Sequence, residues 1–191
     1  SVDIKGKKKK ISTQEGTNRA VFSQGFKYYI NYFSNIKTPY YVTLHNSEGN
    51  EIRVLEDNKA LLKRVEEYGG VKKAFFSFET SEGVELNAYK ILPPGFDITK
   101  RHAVIVTQYS GPNSQSVLDS WSFDWENMLA QKGFLVVCVD SRGTGARGVE
   151  FRKQTYKELG KYETIDLIET AKYLGEQSYV DKERIGIWGW S

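Results

Sequence analysis

Cysteine, histidine and long apolar runs are scarce in this chain, and each scarcity excludes something. The single cysteine, Cys138, rules out an internal disulfide. Set in an apolar run, it reads as a small buried hydrophobe and leaves the redox compartment undetermined. The only histidines are His45 and His102. No His/Cys group has zinc-ligand spacing and no Asp/Glu set resembles a calcium loop, so no metal is expected. No stretch approaches the roughly 18 apolar residues of a membrane-spanning helix. An initiating methionine and a secretory signal pattern are both missing. Charge of neither sign dominates: the net is +3 over 191 residues. The lysines of Lys5–Lys10 form a short, isolated run, read as a polar tip between two strands rather than a site for an anionic partner. Aromatics alternate within strand-like segments and no broad basic stripe accompanies them, which favours core packing over nucleic-acid stacking.

What is present falls into two halves with different patterning. Residues 1–70 carry short β-rich runs at 19–23, 27–33, 40–45 and 51–55, separated by turns at Gln24-Gly25, Asn35–Pro39 and Asn46–Asn50. Aromatic and β-branched strands at that spacing predict antiparallel sheet, as in a sandwich or a propeller blade. Asp57-Asn58 then caps a predicted helix, Lys59–Tyr68, that stops at Gly69-Gly70. Residues 71–191 open with a predicted hairpin, 72–79 and 84–92, across Ser81-Glu82-Gly83. After Pro93-Pro94-Gly95 comes an alternation: strand 101–107, helix 119–131 with Trp121, Trp125, Met128 and Leu129 on its apolar face, strand 134–140, helix 161–176 and strand 184–190. Strands apolar on both faces between helices predict a parallel sheet covered on both sides, an α/β fold.

The last strand runs into Gly189-Trp190-Ser191. That is the first half of a Gly-x-Ser-x-Gly nucleophile elbow, in which a strained strand-to-helix turn exposes a serine hydroxyl above the sheet. Glycine two positions before the serine is a steric need of the turn. On this pattern Ser191 is the candidate nucleophile, at the carboxyl end of a strand, where open α/β sheets bind ligands. A competing constellation is the literal G-x-G-x-x-G of Gly143–Gly148, with Glu163 and Asp166 about 20 residues on. Asp140, Ser141 and Arg142 separate it from the strand, and the helix over 149–159 is weak. A glycine-rich crossover is therefore favoured over a dinucleotide cradle, with Arg142 and Arg147 pairing with acids or carbonyls. Nothing sets the separation of Asp140 and Asp166 as a carboxylate pair.

Several motifs in fixed order carry a resemblance: Pro93-Pro94-Gly95-Phe96, Gln108-Tyr109-Ser110-Gly111-Pro112-Asn113-Ser114-Gln115, Asp140-Ser141-Arg142-Gly143-Thr144-Gly145 and Ile187-Trp188-Gly189-Trp190-Ser191. The chain resembles the prolyl oligopeptidase family, most of all its dipeptidyl peptidase IV branch. Val54–Asn58 is similar to that branch's join between β-propeller and hydrolase domain. The resemblance implies that residues 1–70 end a β-propeller and that 71–191 form the N-terminal half of an α/β-hydrolase sheet. It implies a serine peptidase acting on peptides with a free N-terminus, releasing dipeptides with proline or alanine second. It implies no cofactor, a homodimeric parent and a periplasmic or secreted location. Ser191 falls on the family nucleophile and Tyr109 on the tyrosine whose hydroxyl donates to the oxyanion.

In α/β-hydrolases the triad runs serine, acid, histidine, so both partners are expected after Ser191. His45 lies in the β-rich half and His102 at the base of a strand, and both read as structural. The glutamate pair that the family uses to hold the substrate amino group belongs upstream of residue 1. A chain that opens inside a strand and halts within a motif is expected to be a segment of a longer protein, and to be inactive by itself. The alternatives carried forward are a non-catalytic relative serving as a binding protein, and an esterase-like hydrolase. The esterase would need an HGGG-type oxyanion loop where Tyr109-Ser110-Gly111-Pro112 stands.

Overall fold

The first strands form because aromatic and β-branched residues favour the extended backbone of a pleated sheet. A computed structural model of the protein describes residues 5–70 and 72–189. Within it the chain divides into two compact units, residues 1–71 with 119–122, and residues 72–118 with 123–191.

In the first unit, β1 (Thr17–Phe22), β2 (Tyr28–Asn35), β3 (Thr38–Asn46) and β4 (Glu51–Glu56) make an antiparallel meander in the order β1-β2-β3-β4. The Phe33/Asn35 irregularity absorbs the turn, so Pro39 lies inside β3 instead of in the predicted loop. A bulge is one of the few sheet positions that tolerates a residue lacking an N–H. The lysines of Lys5–Lys10 are exposed and lie in no strand. Helix α1 (Lys59–Glu67) follows, capped otherwise than expected. Asn58 takes a left-handed φ of 52° and donates its side-chain amide to the Tyr40 carbonyl, while Asp57 accepts the Lys59 amide at 3.1 Å.

The second unit is one mixed sheet in the order β5-β6-β8-β7-β9. Hairpin strands β5 (Lys73–Glu79) and β6 (Glu85–Ile91) pair antiparallel, and β6 joins β8 (Leu135–Asp140) antiparallel. Strand β7 (His102–Gln108) pairs parallel with β8 on one side and with β9 (Val180–Gly189) on the other. The parallel part is thus as predicted from the apolar strands, and the hairpin adds an antiparallel flank. Alternation along β8 separates two cores. Leu135, Val137 and Val139 pack with Leu174 of α4 (Lys161–Gly175), and Val136 and Cys138 with Ala130 of α2 (Trp125–Gln131). Fully burying each such aliphatic side chain contributes about 1.5–3 kcal/mol.

Two predicted helices come out shorter. The one expected over 119–131 begins only at Trp125, where Asp124 accepts the Glu126 amide and Asn127 accepts the Asp124 amide. Asp119–Ser122 instead runs along the first unit: Asp119 accepts from the Ile36 amide at 2.9 Å and from the Thr17 hydroxyl at 2.8 Å. The buried face of α2 is also not the apolar one expected; it is Glu126, Asn127 and Ala130, with Met128 exposed. The weak helix over 149–159 contracts to α3 (Val149–Lys153) followed by turns.

Candidate active site

Three strand ends define the carboxyl edge of the parallel part of the sheet. In the β7–β9 register Thr107 faces Trp188 and Gln108 faces Gly189, so Tyr109 leaves the sheet beside the glycine of the predicted elbow. Contact there is close: a Cβ added to Gly189 would lie 2.9 Å from the Gln108 carbonyl oxygen, where something must shift. Glycine is required at that crossing by the neighbouring strand. Trp190 and Ser191 lie outside the described residues.

Tyr109 is 49% exposed, its ring lying over Gly111, where a Cβ would come within 2.5 Å of the ring. Ser110 between them holds a left-handed φ of 54°. Its hydroxyl and the Gln108 side-chain oxygen are buried without a hydrogen-bond partner among the described residues. Such strain and unmet polarity concentrate at functional positions.

The loop carrying Tyr109 is anchored beyond the sheet by Asp140, at the end of β8. Its carboxylate accepts the amides of Ser116 at 2.8 Å and Val117 at 3.0 Å. Burial pushes the Asp140 carboxyl above the ordinary range, against the pull of those two donors. Further along, the Asn113 amide donates to the Gly143 carbonyl at 2.9 Å and the Gly145 amide to the Ser114 carbonyl at 2.6 Å. Loops from two adjacent strands are knitted into one rim.

Behind this rim stands Arg142, 3% exposed. Its amide and guanidinium engage the fully buried Asp166 carboxylate at 2.7–2.9 Å, its Nη1 reaches Glu82 at 2.7 Å, and its guanidinium lies over the Tyr162 ring. Asp140 and Asp166 therefore have separate tasks and are not a catalytic pair. Arg147 donates to the Glu85 carbonyl at 2.6 Å. The G-x-G-x-x-G segment is spent internally as well. The Gly143 amide donates to the Phe151 carbonyl and that of Gly145 to Ser114, and the helix that follows has 5 residues. With those two glycine amides engaged and so short a helix behind them, the segment is not built as a phosphate cradle.

Both histidines are engaged elsewhere. The His102 ring stacks on Phe96 and pairs with the Asp97 carbonyl at 3.0 Å, at the far end of β7, roughly 20 Å from Gln108 at the strand's rise per residue. His45 stacks on Tyr29 in the first unit, its ring nitrogens at 2.8 Å from the Thr43 hydroxyl and 3.1 Å from the Gly49 carbonyl.

Two features of the site escape reading from sequence. One is Gly111, whose lack of a side chain matters only once the Tyr109 ring lies on it. The other is a pair of indoles, Trp125 and Trp188, whose ring centroids are 4.5 Å apart next to the end of β9. A tryptophan directly before a predicted elbow glycine was the one available signal.

A mixed sheet wound with helices on both faces, with a tyrosine and a strand-terminal glycine side by side at its carboxyl edge, is that of an α/β-hydrolase. A model of the prolyl oligopeptidase family matches residues 121–191. The crystal structure of Porphyromonas gingivalis dipeptidyl peptidase 4 superposes with a TM-score of 0.93 at 50% identity, over 99% of this chain and 27% of that one. A protein of Emericella nidulans described as "Probable dipeptidyl peptidase 4" is 37% identical over 174 residues, 89% of this chain and 22% of the relative. Dipeptidyl peptidase 4 of Trichophyton equinum is 34% identical over 177 residues, 90% of this chain and 23% of the relative. The chain thus spans about a quarter or less of the length of these relatives. It belongs to the prolyl oligopeptidase family, on its dipeptidyl peptidase IV branch.

Proposed function

We propose that the full-length protein is a serine dipeptidyl peptidase that releases N-terminal dipeptides, with proline or alanine preferred in second place. The observation that carries this reading is the pairing of Gln108 with Gly189. It supports a site in which Tyr109 and the serine two residues beyond Gly189 serve one reacting carbonyl.

In this mechanism the Ser191 oxygen attacks the carbonyl carbon after the second substrate residue, and its proton passes to a histidine beyond this chain. The carbonyl oxygen becomes an oxyanion, to which the Tyr109 hydroxyl donates. A neutral donor fixed where charge appears only in the transition state raises turnover more than binding. The C–N bond then breaks, the histidine returns its proton to the leaving amine, and water releases the dipeptide from the acyl-enzyme. The peptide substrates of the dipeptidyl peptidase relatives fit this order of events.

The test is hydrolysis of an Ala-Pro chromogenic substrate by the full-length protein. Ser191→Ala should lower activity by at least about 10³-fold while leaving folding intact. Tyr109→Phe should lower kcat by about 10²–10³ with little change in KM. Normal turnover by the serine variant would remove Ser191 from the chemistry, whereas no turnover by the unaltered full-length protein would favour a binding protein.

A further inference from the structure

Beneath the rim lies a buried carboxylate that the reaction does not use. Glu126 is 7% exposed, in the first turn of α2, and both of its oxygens are engaged. One accepts the Tyr89 hydroxyl from β6 at 2.7 Å; the other accepts the Thr107 hydroxyl from β7, also at 2.7 Å. The Lys73 ammonium lies 4.2 Å over the Tyr89 ring, depressed by burial, with Glu126 the first charge opposing that depression. Cys138 completes the surroundings, its thiol pushed up to about 12 by the same burial.

The place of this carboxylate in the chain is what matters. Thr107 is the second residue before Tyr109, and Glu126 is the second residue of the helix to which the Tyr109 loop returns. The Thr107–Glu126 hydrogen bond therefore ties together the two ends of that loop at its base. Asp140 and Gly143 hold the loop further out. A buried carboxylate is a costly way to fill a core position that an apolar residue would fill well, so its use there calls for a reason beyond packing. The two hydroxyls reach it from β6 and β7, the strands on either side of β8, and burial holds Tyr89 neutral.

We propose that Glu126 is a positioning residue for Tyr109: it clasps the base of the loop and so keeps the phenol where the oxyanion forms. This rests on the function proposed above, and the experiment separates the two. In the full-length protein, Glu126→Leu should raise hydrogen–deuterium exchange in residues 109–118. It should also lower kcat per titrated active-site serine by about tenfold with KM little changed, since small displacements of a positioned group are costly. Glu126→Gln keeps a planar group between two hydroxyls able to donate or accept, and should restore most of both. In a Tyr109→Phe background the Leu substitution should cost less than twofold, because residues acting through one another are non-additive. Should the Leu variant fail to fold, Thr107→Val removes one bond of the clasp isosterically and should show the same signs more weakly.

A folded variant with unchanged exchange over 109–118 overturns the clasp. Raised exchange with unchanged kcat overturns its role in positioning, as does full additivity with Tyr109→Phe. Failure of the underlying function would show separately, as turnover that survives Ser191→Ala.

Discussion

Gly111 has no side chain because the Tyr109 ring occupies the space that one would need. Its backbone is not among the left-handed glycines, so alanine is allowed there by conformation and forbidden by the neighbour alone. That makes it a clean probe of the phenol's placement. Gly111→Ala should push the ring aside and lower kcat in the full-length protein by about tenfold or more, with KM altered far less. A wild-type kcat would mean that the ring's present seat is not the one used in turnover. Gly189 differs in kind, since a Cβ there meets not only the Gln108 side chain but also its backbone carbonyl, which cannot swing away. At this scale the sequence names Tyr109 and Gly189 through their motif neighbours. It does not reveal Gly111 or Glu126, because each is defined by a residue that folding brings to it.

Among elements, the carboxyl edge of the sheet is built by contacts between loops rather than by the strands alone. Arg142 is its keystone, joining the β8 loop to α4 through Asp166 and to the hairpin turn through Glu82. Removing one partner of a buried ion pair strands the other charge, a loss of about 3–5 kcal/mol, whereas replacing both by apolar groups costs much less. Denaturant unfolding should therefore show Asp166→Leu strongly destabilised, and Arg142→Met with Asp166→Leu less so than the sum of the two single changes. Equal additive losses would reduce the clamp to ordinary packing. Strand β8 is legible in the sequence because its apolar run is buried from end to end. Helix α4 is legible by its apolar periodicity, although the positions it buries fully are Asp166, Thr170 and Leu174. Helix α2 is not, for two reasons. Asp119 spends its carboxylate on the Ile36 amide, keeping residues 119–122 out of the helix. And the helix buries Glu126 and Asn127, which no hydrophobic periodicity can flag.

Across the whole molecule the fold class is readable because alternating strands and helices leave few arrangements of an α/β sheet. The hairpin's union with that sheet is less so: nothing local in 85–91 says that β6 will pair with β8, a partner some fifty residues away. Long-range ties of this kind also shape how the molecule responds to acid. Glu169 on α4 accepts the Ser81 amide of the β5–β6 turn at 2.8 Å and the Lys172 ammonium at 2.7 Å. The Lys172 hydrogen bond first, and the Ser81 amide second, lower its carboxyl from the usual 4.5 to about 2. A carboxyl depressed in the folded state binds its proton more readily in the unfolded chain. Its stabilisation is therefore full above about pH 4.5 and drains away as pH falls toward 2. Glu169→Gln keeps the shape and discards the charge. Thermal unfolding should find the variant less stable at pH 7, with the gap in Tm closing through pH 4.5 to 2 and gone at the lower end. A gap that stays constant across that window would mean that the tie between α4 and the hairpin turn owes nothing to the ionised carboxylate.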